Sequence, residues 1–246
     1  SDGSTVNPRT FTVTCDSSFT AQFATNDYLL TVNGDAVMGS ATGAGSYAYN
    51  TFATLTATAN YGYHFTQWND GNTINPRTVV VTSDSTFTAQ FAANNYNVVV
   101  VSANNAMGSV AGAGSYTYNT SATIAATANY GYHFTQWSDG STVNPRTLTV
   151  TCDSVFTAQF AANTYSLTLL ADEVMGSVMG AGDFEYNAST IISASANYGY
   201  HFTGWSDGVS LNPRMITVTM DSTITALFAA NAYHVAASVN IDEAGY

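Results

Sequence analysis

The chain has 246 residues, four arginines, no lysine and sixteen acidic side chains, for a formal net charge of −12. Charge this sparse and one-sided excludes nucleic acid as a partner, because no basic patch exists to release counterions from phosphates, and it disfavours an anionic membrane surface. The longest aliphatic run, residues 98–101, is far too short to insert into a bilayer.

The predicted elements recur with a fixed period, which signals an array. The block Tyr-Gly-Tyr-His-Phe-Thr-x-Trp-x-Asp-Gly-x-x-x-Asn-Pro-Arg occurs three times, and the chain opens on the end of a fourth copy. Trp68, Trp137 and Trp205 lie 69 and 68 residues apart, and Pro8, Pro76, Pro145 and Pro213 follow the same spacing. Residues 1–26 read as the C-terminal half of a repeat. Residues 27–94, 95–163 and 164–231 are whole repeats, and 232–246 carry the first strand or strands of a further one. Neither end falls on a repeat boundary, so the sequence reads as a window on a longer array. A unit of this size buries only about 60% of its unfolded surface, so support from neighbouring repeats is expected.

Within the second repeat, alternation with a period of two dominates. Residues 96–101 form a first strand that opens on Tyr96. Asn104-Asn105 turns the chain, and Met107 to Val110 begin a return strand that Gly112 and Gly114 break. Residues 114–121 are too short and too rich in Gly, Ser and Tyr for a helix. A strand follows over 122–128, with Ala122, Ile124 and Ala126 on one face. The aromatic-rich stretch 130–137 places His133 with Thr135 and Trp137, opposite Tyr132 and Phe134. After the turn at Asp139-Gly140, Leu148, Val150 and Cys152 face one way, and Phe156, Ala158 and Phe160 line the last strand. About six short strands per repeat, with turn chemistry every 8–12 residues, predict an all-β module. Inner positions stay apolar between copies: Phe11, Val79, Leu148 and Ile216 share one, and Phe19, Phe87, Phe156 and Ile224 another. Linkers of four residues or fewer imply that successive repeats are held in a fixed relation.

The succession Tyr96, Met107 to Val110, Gly112 and Gly114, Gly131 to Trp137, Asp139-Gly140 and Asp153 to Phe160 resembles the divergent form of the internalin B B-repeat, a module of bacterial surface and secreted proteins. The resemblance covers essentially the whole chain. It implies a tandem array of small antiparallel β modules of about 68 residues, β-grasp-like without a clear helix, with a stalk or adhesive role at the cell surface.

Several side chains invite a chemical reading. Each arginine lies seven residues after one aspartate and seven before another. Arg77 with Asp70 and Asp84, Arg146 with Asp139 and Asp153, and Arg214 with Asp207 and Asp221 are therefore expected to form structural ion pairs that lock the Asp-Gly loop to the strands. The aromatic cluster Tyr61, Tyr63, His64 and Trp68 is the candidate binding strip. It recurs as Tyr130, Tyr132, His133 and Trp137, and as Tyr198, Tyr200, His201 and Trp205. Its faces suit sugar rings or partner side chains, whereas the structural reading makes the tryptophan the core and the tyrosines its cover. Cys15 and Cys152 share a repeat position and read as small buried hydrophobes. The acidic turns at Asp35, Asp172-Glu173, Asp183 and Glu185 match no calcium-loop pattern and read as solvated. The outward threonines Thr12, Thr14 and Thr20 suit an exposed strand face better than an ice-binding one.

No catalytic constellation, metal site or cofactor is expected, and the chain is not read as an enzyme. The leading expectation is an extracellular structural stalk or fibre segment whose partners are its own neighbouring repeats. One alternative is a multivalent binder of glycan or host protein. The other is a filament in which identical chains exchange strands at the split ends.

Overall fold

Seven strands, not six, make up each repeat. In the computed structural model, which describes residues 2–239, the first repeat runs β1 (Asp27–Asn33), β2 (Gly39–Thr42), β3 (Gly45–Ala48), β4 (Thr51–Ala59), β5 (Tyr63–Trp68), β6 (Arg77–Val81) and β7 (Ser85–Ala93). The second runs β8 (Asn95–Ser102), β9 (Gly108–Ala111), β10 (Gly114–Thr117), β11 (Ser121–Ala128), β12 (Tyr132–Trp137), β13 (Arg146–Thr149) and β14 (Ser154–Ala162). The third runs β15 (Thr164–Leu170), β16 (Gly176–Met179), β17 (Gly182–Glu185), β18 (Ser189–Ala196), β19 (Tyr200–Trp205), β20 (Arg214–Thr217) and β21 (Ser222–Ala230). The described residues contain no helix, and the class is all-β in tandem modules.

The first repeat builds a four-stranded sheet in the order β3-β1-β7-β5 and a three-stranded sheet in the order β2-β4-β6. The third repeats both, as β17-β15-β21-β19 and β16-β18-β20. The first and last strands of a repeat are parallel neighbours at the centre of the larger sheet. Leu30 lies opposite Ser85, Val98 opposite Ser154 and Leu167 opposite Ser222. The pairing therefore departs from a purely antiparallel module. The return strand also goes elsewhere. β2 does not fold back on β1 but pairs with β4, because β3 and β7 already occupy both edges of β1. The extra strand, β3 and its copies, lies in the Gly-Ser-Tyr stretch that the sequence marks only as a break.

Alternation explains which side chains meet between the two sheets. In the first repeat Leu30, Ala53, Leu55, Ala57, Trp68, Val81 and Ala89 form the buried core, with Phe65, Phe87 and Phe91 packed against it. In the third, Leu167, Leu169, Ile192, Trp205, Val218, Ile224 and Ala226 do the same. One break in alternation matters here. The register of β5 on β7 shifts between Phe65 and Gln67, and β12 and β19 shift at the equivalent place. This bulge adds one residue, so Phe134 turns to the same side as Trp137, with ring centroids 5.3 Å apart. The expected grouping of His133 with Trp137 is thereby corrected.

Cys15 and Cys152 are exposed, contrary to the expected burial. β13 ends at Thr149, and Cys152 falls in the bend before β14, past the last buried residue, Val150. Residues 2–26 and 232–239 form no strand. The first segment carries the counterparts of β6 and β7, but the strands that pair with those in a whole repeat, β4, β1 and β5, have no counterpart in it. Phe11 and Phe19 stack on each other at 4.4 Å yet stay about half exposed, at 47% each. The first strand expected from Tyr233, the counterpart of Tyr28 in β1, falls on 232–238 and does not form there; the rest of that expected segment, 240–246, lies outside the described residues.

By compactness the chain divides into two units. One comprises Ser1–Asn97 with Ser115–Ser121 and Thr149–Asp153, and the other Val98–Gly114, Ala122–Leu148 and Ser154–Tyr246. The first unit thus takes in the start of β8, most of β10 with the turn after it, and the turn after β13, along with the whole first repeat.

Candidate functional site

The three tryptophans of the candidate strip are 0–1% exposed. Each indole N–H donates to a main-chain carbonyl six residues on: Trp68 to Ile74 at 3.1 Å, Trp137 to Val143 at 3.0 Å and Trp205 to Leu211 at 3.1 Å. The indole therefore fills the core and ties down the Asp-Gly loop at once, leaving no face for a ligand.

The tyrosines lie elsewhere, against a residue that the sequence reading passed over. Tyr118 sits in a turn whose next residue, Asn119, adopts a left-handed conformation (φ 62°). The Tyr118 N–H donates to the Asn94 carbonyl, and the Asn119 N–H to that of Val150, both at 2.8 Å. The Tyr118 ring is held edge-on by Tyr61 at 5.8 Å, Tyr63 at 5.3 Å and Tyr96 at 6.3 Å. The Tyr61 hydroxyl in turn donates to the Thr151 carbonyl of the second repeat at 3.0 Å. Between the two tyrosines, Gly62 has φ +86°, and a β-carbon there would fall 2.4 Å from the Tyr118 ring. Glycine is required twice over, for the dihedral and for the space. Desolvation, with smaller contributions from Tyr96, Cys152 and Tyr118, pushes the Tyr61 phenol up.

In the second unit the same arrangement recurs. Tyr186 meets Tyr130 at 5.7 Å, Tyr132 at 5.3 Å and Tyr165 at 6.3 Å. Tyr130 donates to the Thr219 carbonyl at 3.2 Å, and a β-carbon on Gly131 would come within 2.3 Å of the Tyr186 ring. Edge-to-face pairs contribute about 0.5–1.5 kcal/mol each beyond the area they bury. The available signal was the recurrence of Tyr49-Asn50, Tyr118-Asn119 and Tyr186-Asn187 at one repeat position. Tyr198 and Tyr200 form the same pair around Gly199, with Tyr198 almost wholly exposed.

The histidines hold the linkers. His64, His133 and His201 place Nδ1 at 2.8 Å from Oδ1 of Asn94, Asn163 and Asn231, respectively. Each of these asparagines also donates its N–H to the carbonyl of the socket glycine, Gly62, Gly131 or Gly199, at 2.8 Å. A second set of asparagines serves the cis Asn-Pro bonds. Asn75 accepts the Ala57 N–H at 2.8 Å and donates to the Ala57 carbonyl at 2.7 Å, so one side-chain amide stands in for a strand partner. Asn144 and Asn212 repeat this on Ala126 and Ala194.

The arginines meet only the first of their two expected aspartates. Arg77 lies 2.8 Å from Asp70, Arg146 grips Asp139 with two bonds of 2.9 and 2.7 Å, and Arg214 pairs with Asp207. Arg9 keeps the same contact with Asp2 at 2.6 Å. Asp84, Asp153 and Asp221 are not arginine partners in this way. They accept the backbone N–H of Leu29, Asn97 and Ser166 at 2.7, 2.7 and 2.8 Å. The parallel pairing brings the head of each closing strand beside the opening strand, whose backbone amide the aspartate caps. Arg77 and Arg146 also lie over Phe87 and Phe156, at 5.0 and 4.9 Å; where the equivalent residue is Ile224, Arg214 lies over Trp205 instead, at 5.6 Å.

These pairs set a pH dependence. Hydrogen bonding from Arg146 and Arg214 lowers the pKa of Asp139 and of Asp207. At Asp70 burial pushes upward but is outweighed by Arg77 and the Asn72 N–H, leaving that pKa lowered as well. A lowered folded-state value means stabilisation that is present above the ordinary carboxyl value of about 3.9 and lost as pH falls through the lowered one. Asp139→Asn is expected to cost less than about 1 kcal/mol at neutral pH, since the carboxylate is largely exposed. It should also flatten the loss of stability below about pH 4, read by urea unfolding at several pH values. An unchanged acid slope would remove the pair from this role.

Among the described residues, no group of three or more His, Cys, Asp and Glu side chains converges as a metal site would require.

A family model described as the divergent InlB B-repeat domain matches residues 28–95, 98–164 and 165–232. Among solved structures, the chain is similar to the Bacillus anthracis TIE protein, with 8% identity and a TM-score of 0.37 over 81% of this chain and 49% of that one. The match thus spans about half the length of that protein. No curated protein matches the sequence.

Proposed function

The chain belongs to the divergent InlB B-repeat family, and from that premise we propose that it is a structural stalk or fibre segment of a bacterial extracellular or cell-surface protein. The observation that carries this reading is where the aromatic side chains go. Each tryptophan is spent on a core, and Tyr61, Tyr63, Tyr130 and Tyr132 are spent on a tyrosine of the following repeat. Modules of this size are marginal alone, so contacts at each junction serve both stability and stiffness. The mechanism is mechanical: the glycine socket seats the tyrosine, the linker asparagine is held by histidine, and length follows from repetition. No catalysis, cofactor or metal enters it, and its partners are the neighbouring repeats.

Limited proteolysis tests the proposal. Trypsin should cut quickly after Arg9, which lies outside any strand, and slowly after Arg77, Arg146 and Arg214, which open strands and are ion-paired. A protease of broad specificity should likewise spare the junctions around Asn94 and Asn163. Early cleavage at either junction, or at Arg77 or Arg146, would show loosely tethered modules and overturn the stalk.

A further inference from the structure

We propose that Arg77, Arg146 and Arg214 guard three latent sites of aspartyl isomerisation, Asp70-Gly71, Asp139-Gly140 and Asp207-Gly208, one in each whole repeat. Aspartate followed by glycine is the dipeptide most prone to this change, because no side chain hinders the approach of the following nitrogen. The fold nevertheless keeps glycine there. Gly71, Gly140 and Gly208 have φ of +82°, +84° and +87°, the left-handed region that disfavours other residues. A β-carbon on any of the three meets nothing within 4 Å among the described residues, so the dihedral and not the space sets the choice. The aspartate side chains are 41–43% exposed, and water reaches them.

Isomerisation has a defined course. The Gly140 nitrogen attacks Cγ of Asp139, a carbon–nitrogen bond forms, and one carboxyl oxygen leaves as water with the acid proton and the amide proton. Water then opens the resulting succinimide. Hydrolysis at Cγ restores aspartate, whereas hydrolysis at the α-carbonyl carbon leaves isoaspartate, which lengthens the backbone by one carbon. Both reacting groups are held away from this course. The Gly140 N–H donates to the Trp137 carbonyl at 2.9 Å, and those of Gly71 and Gly208 donate to Trp68 and Trp205, also at 2.9 Å. Arg146 grips the Asp139 carboxylate at 2.9 and 2.7 Å, and the same carboxylate accepts the Ser141 N–H at 3.2 Å. Asp70 is held by Arg77 at 2.8 Å and by the Asn72 N–H at 3.1 Å. Arg214 and the Val209 N–H, the latter at 3.3 Å, hold Asp207. The guanidinium favours the ionised carboxylate, whose oxygen is a poor leaving group, and fixes the carbon that would be attacked. The turn fixes the nitrogen, so ring closure has to break both sets of bonds. This role goes beyond the stalk reading and does not rest on it.

Incubation of the full chain for several weeks at neutral pH, followed by peptide mapping that separates aspartyl from isoaspartyl forms, tests it. Folded wild type is expected to keep all three sites intact, while the chain held unfolded in urea accumulates isoaspartate at each. Arg146→Gln should speed isoaspartate formation at Asp139 by at least about tenfold, the equivalent of about 1.4 kcal/mol in the barrier. Asp70 and Asp207 in the same molecules serve as internal controls and should not change. A urea transition establishes that the second repeat of the variant is folded. If it is not, Arg146→Lys, which keeps the charge but loses the fork, takes its place, and the same site-selective rise is expected. A folded variant whose Asp139 is as resistant as in wild type would overturn the proposal. So would a rise shared equally by Asp70 and Asp207, or folded wild type that isomerises as fast as the unfolded chain. None of these results touches the stalk reading, which proteolysis tests.

Discussion

Trp68→Ala is expected to destabilise the first repeat by about 3–5 kcal/mol, the range for truncating a large buried aromatic. Two losses add up at this position. The indole is 0% exposed and contacts Phe65 at 5.5 Å, so its removal leaves a cavity between the two sheets. Its N–H reaches the Ile74 carbonyl at 3.1 Å, so the loop leading to Asn75 and Arg77 loses its anchor. At about 0.05–0.15 kcal/mol per residue, a module of this size holds only a few kcal/mol in total. The variant should therefore unfold its first repeat in urea well before the others, giving a separate transition. Trp68→Phe should cost less, because it keeps most of the volume and gives up chiefly the hydrogen bond. A loss below about 1 kcal/mol for the alanine variant would mean that the indole is not the centre of the core.

Gly131→Ala is expected to be clearly worse than Gly199→Ala, although both glycines have nearly the same φ, +86° and +89°. Each substitution forces alanine into the left-handed region, at a cost of about 1–2 kcal/mol. Only at Gly131 does the new methyl also run into a ring, that of Tyr186 at 2.3 Å. Displacing Tyr186 forfeits its contacts with Tyr130 and Tyr132, so overpacking should add about 1–3 kcal/mol. Thermal unfolding of the two variants isolates the seat from the dihedral. Hydrogen exchange at the Tyr186 amide, which donates to the Asn163 carbonyl, should accelerate in Gly131→Ala alone. Equal destabilisation would mean that the tyrosine seat contributes nothing to the junction.

The two comparisons probe different levels of organisation. Trp68 reports on one module's interior, whereas Gly131 reports on the coupling of one module to the next. A stalk needs both, since stiff junctions between unstable modules would fail as surely as stable modules on free linkers.

The sequence by itself determined the period, the all-β class and the apolar face of most strands. Alternation in the stretch of Ala122, Ile124 and Ala126 is a local property, and all three are buried. The Arg-to-Asp-Gly pairing was legible for a similar reason, because seven residues span one loop. Tertiary structure alone decided the rest, wherever the partner lies far along the chain. β1 could have taken β2 as its hairpin mate, but hydrogen bonds to β7, 55 residues away in register, fill that edge, and the same parallel pairing hands Asp84 to the Leu29 amide. The bulge after Phe65 turns the aromatic side chains about, because one added residue inverts a period of two. Tyr118 reads in sequence as one more turn residue. It becomes the knob of a junction only when folding brings Gly62 beneath it, and no local pattern records that approach.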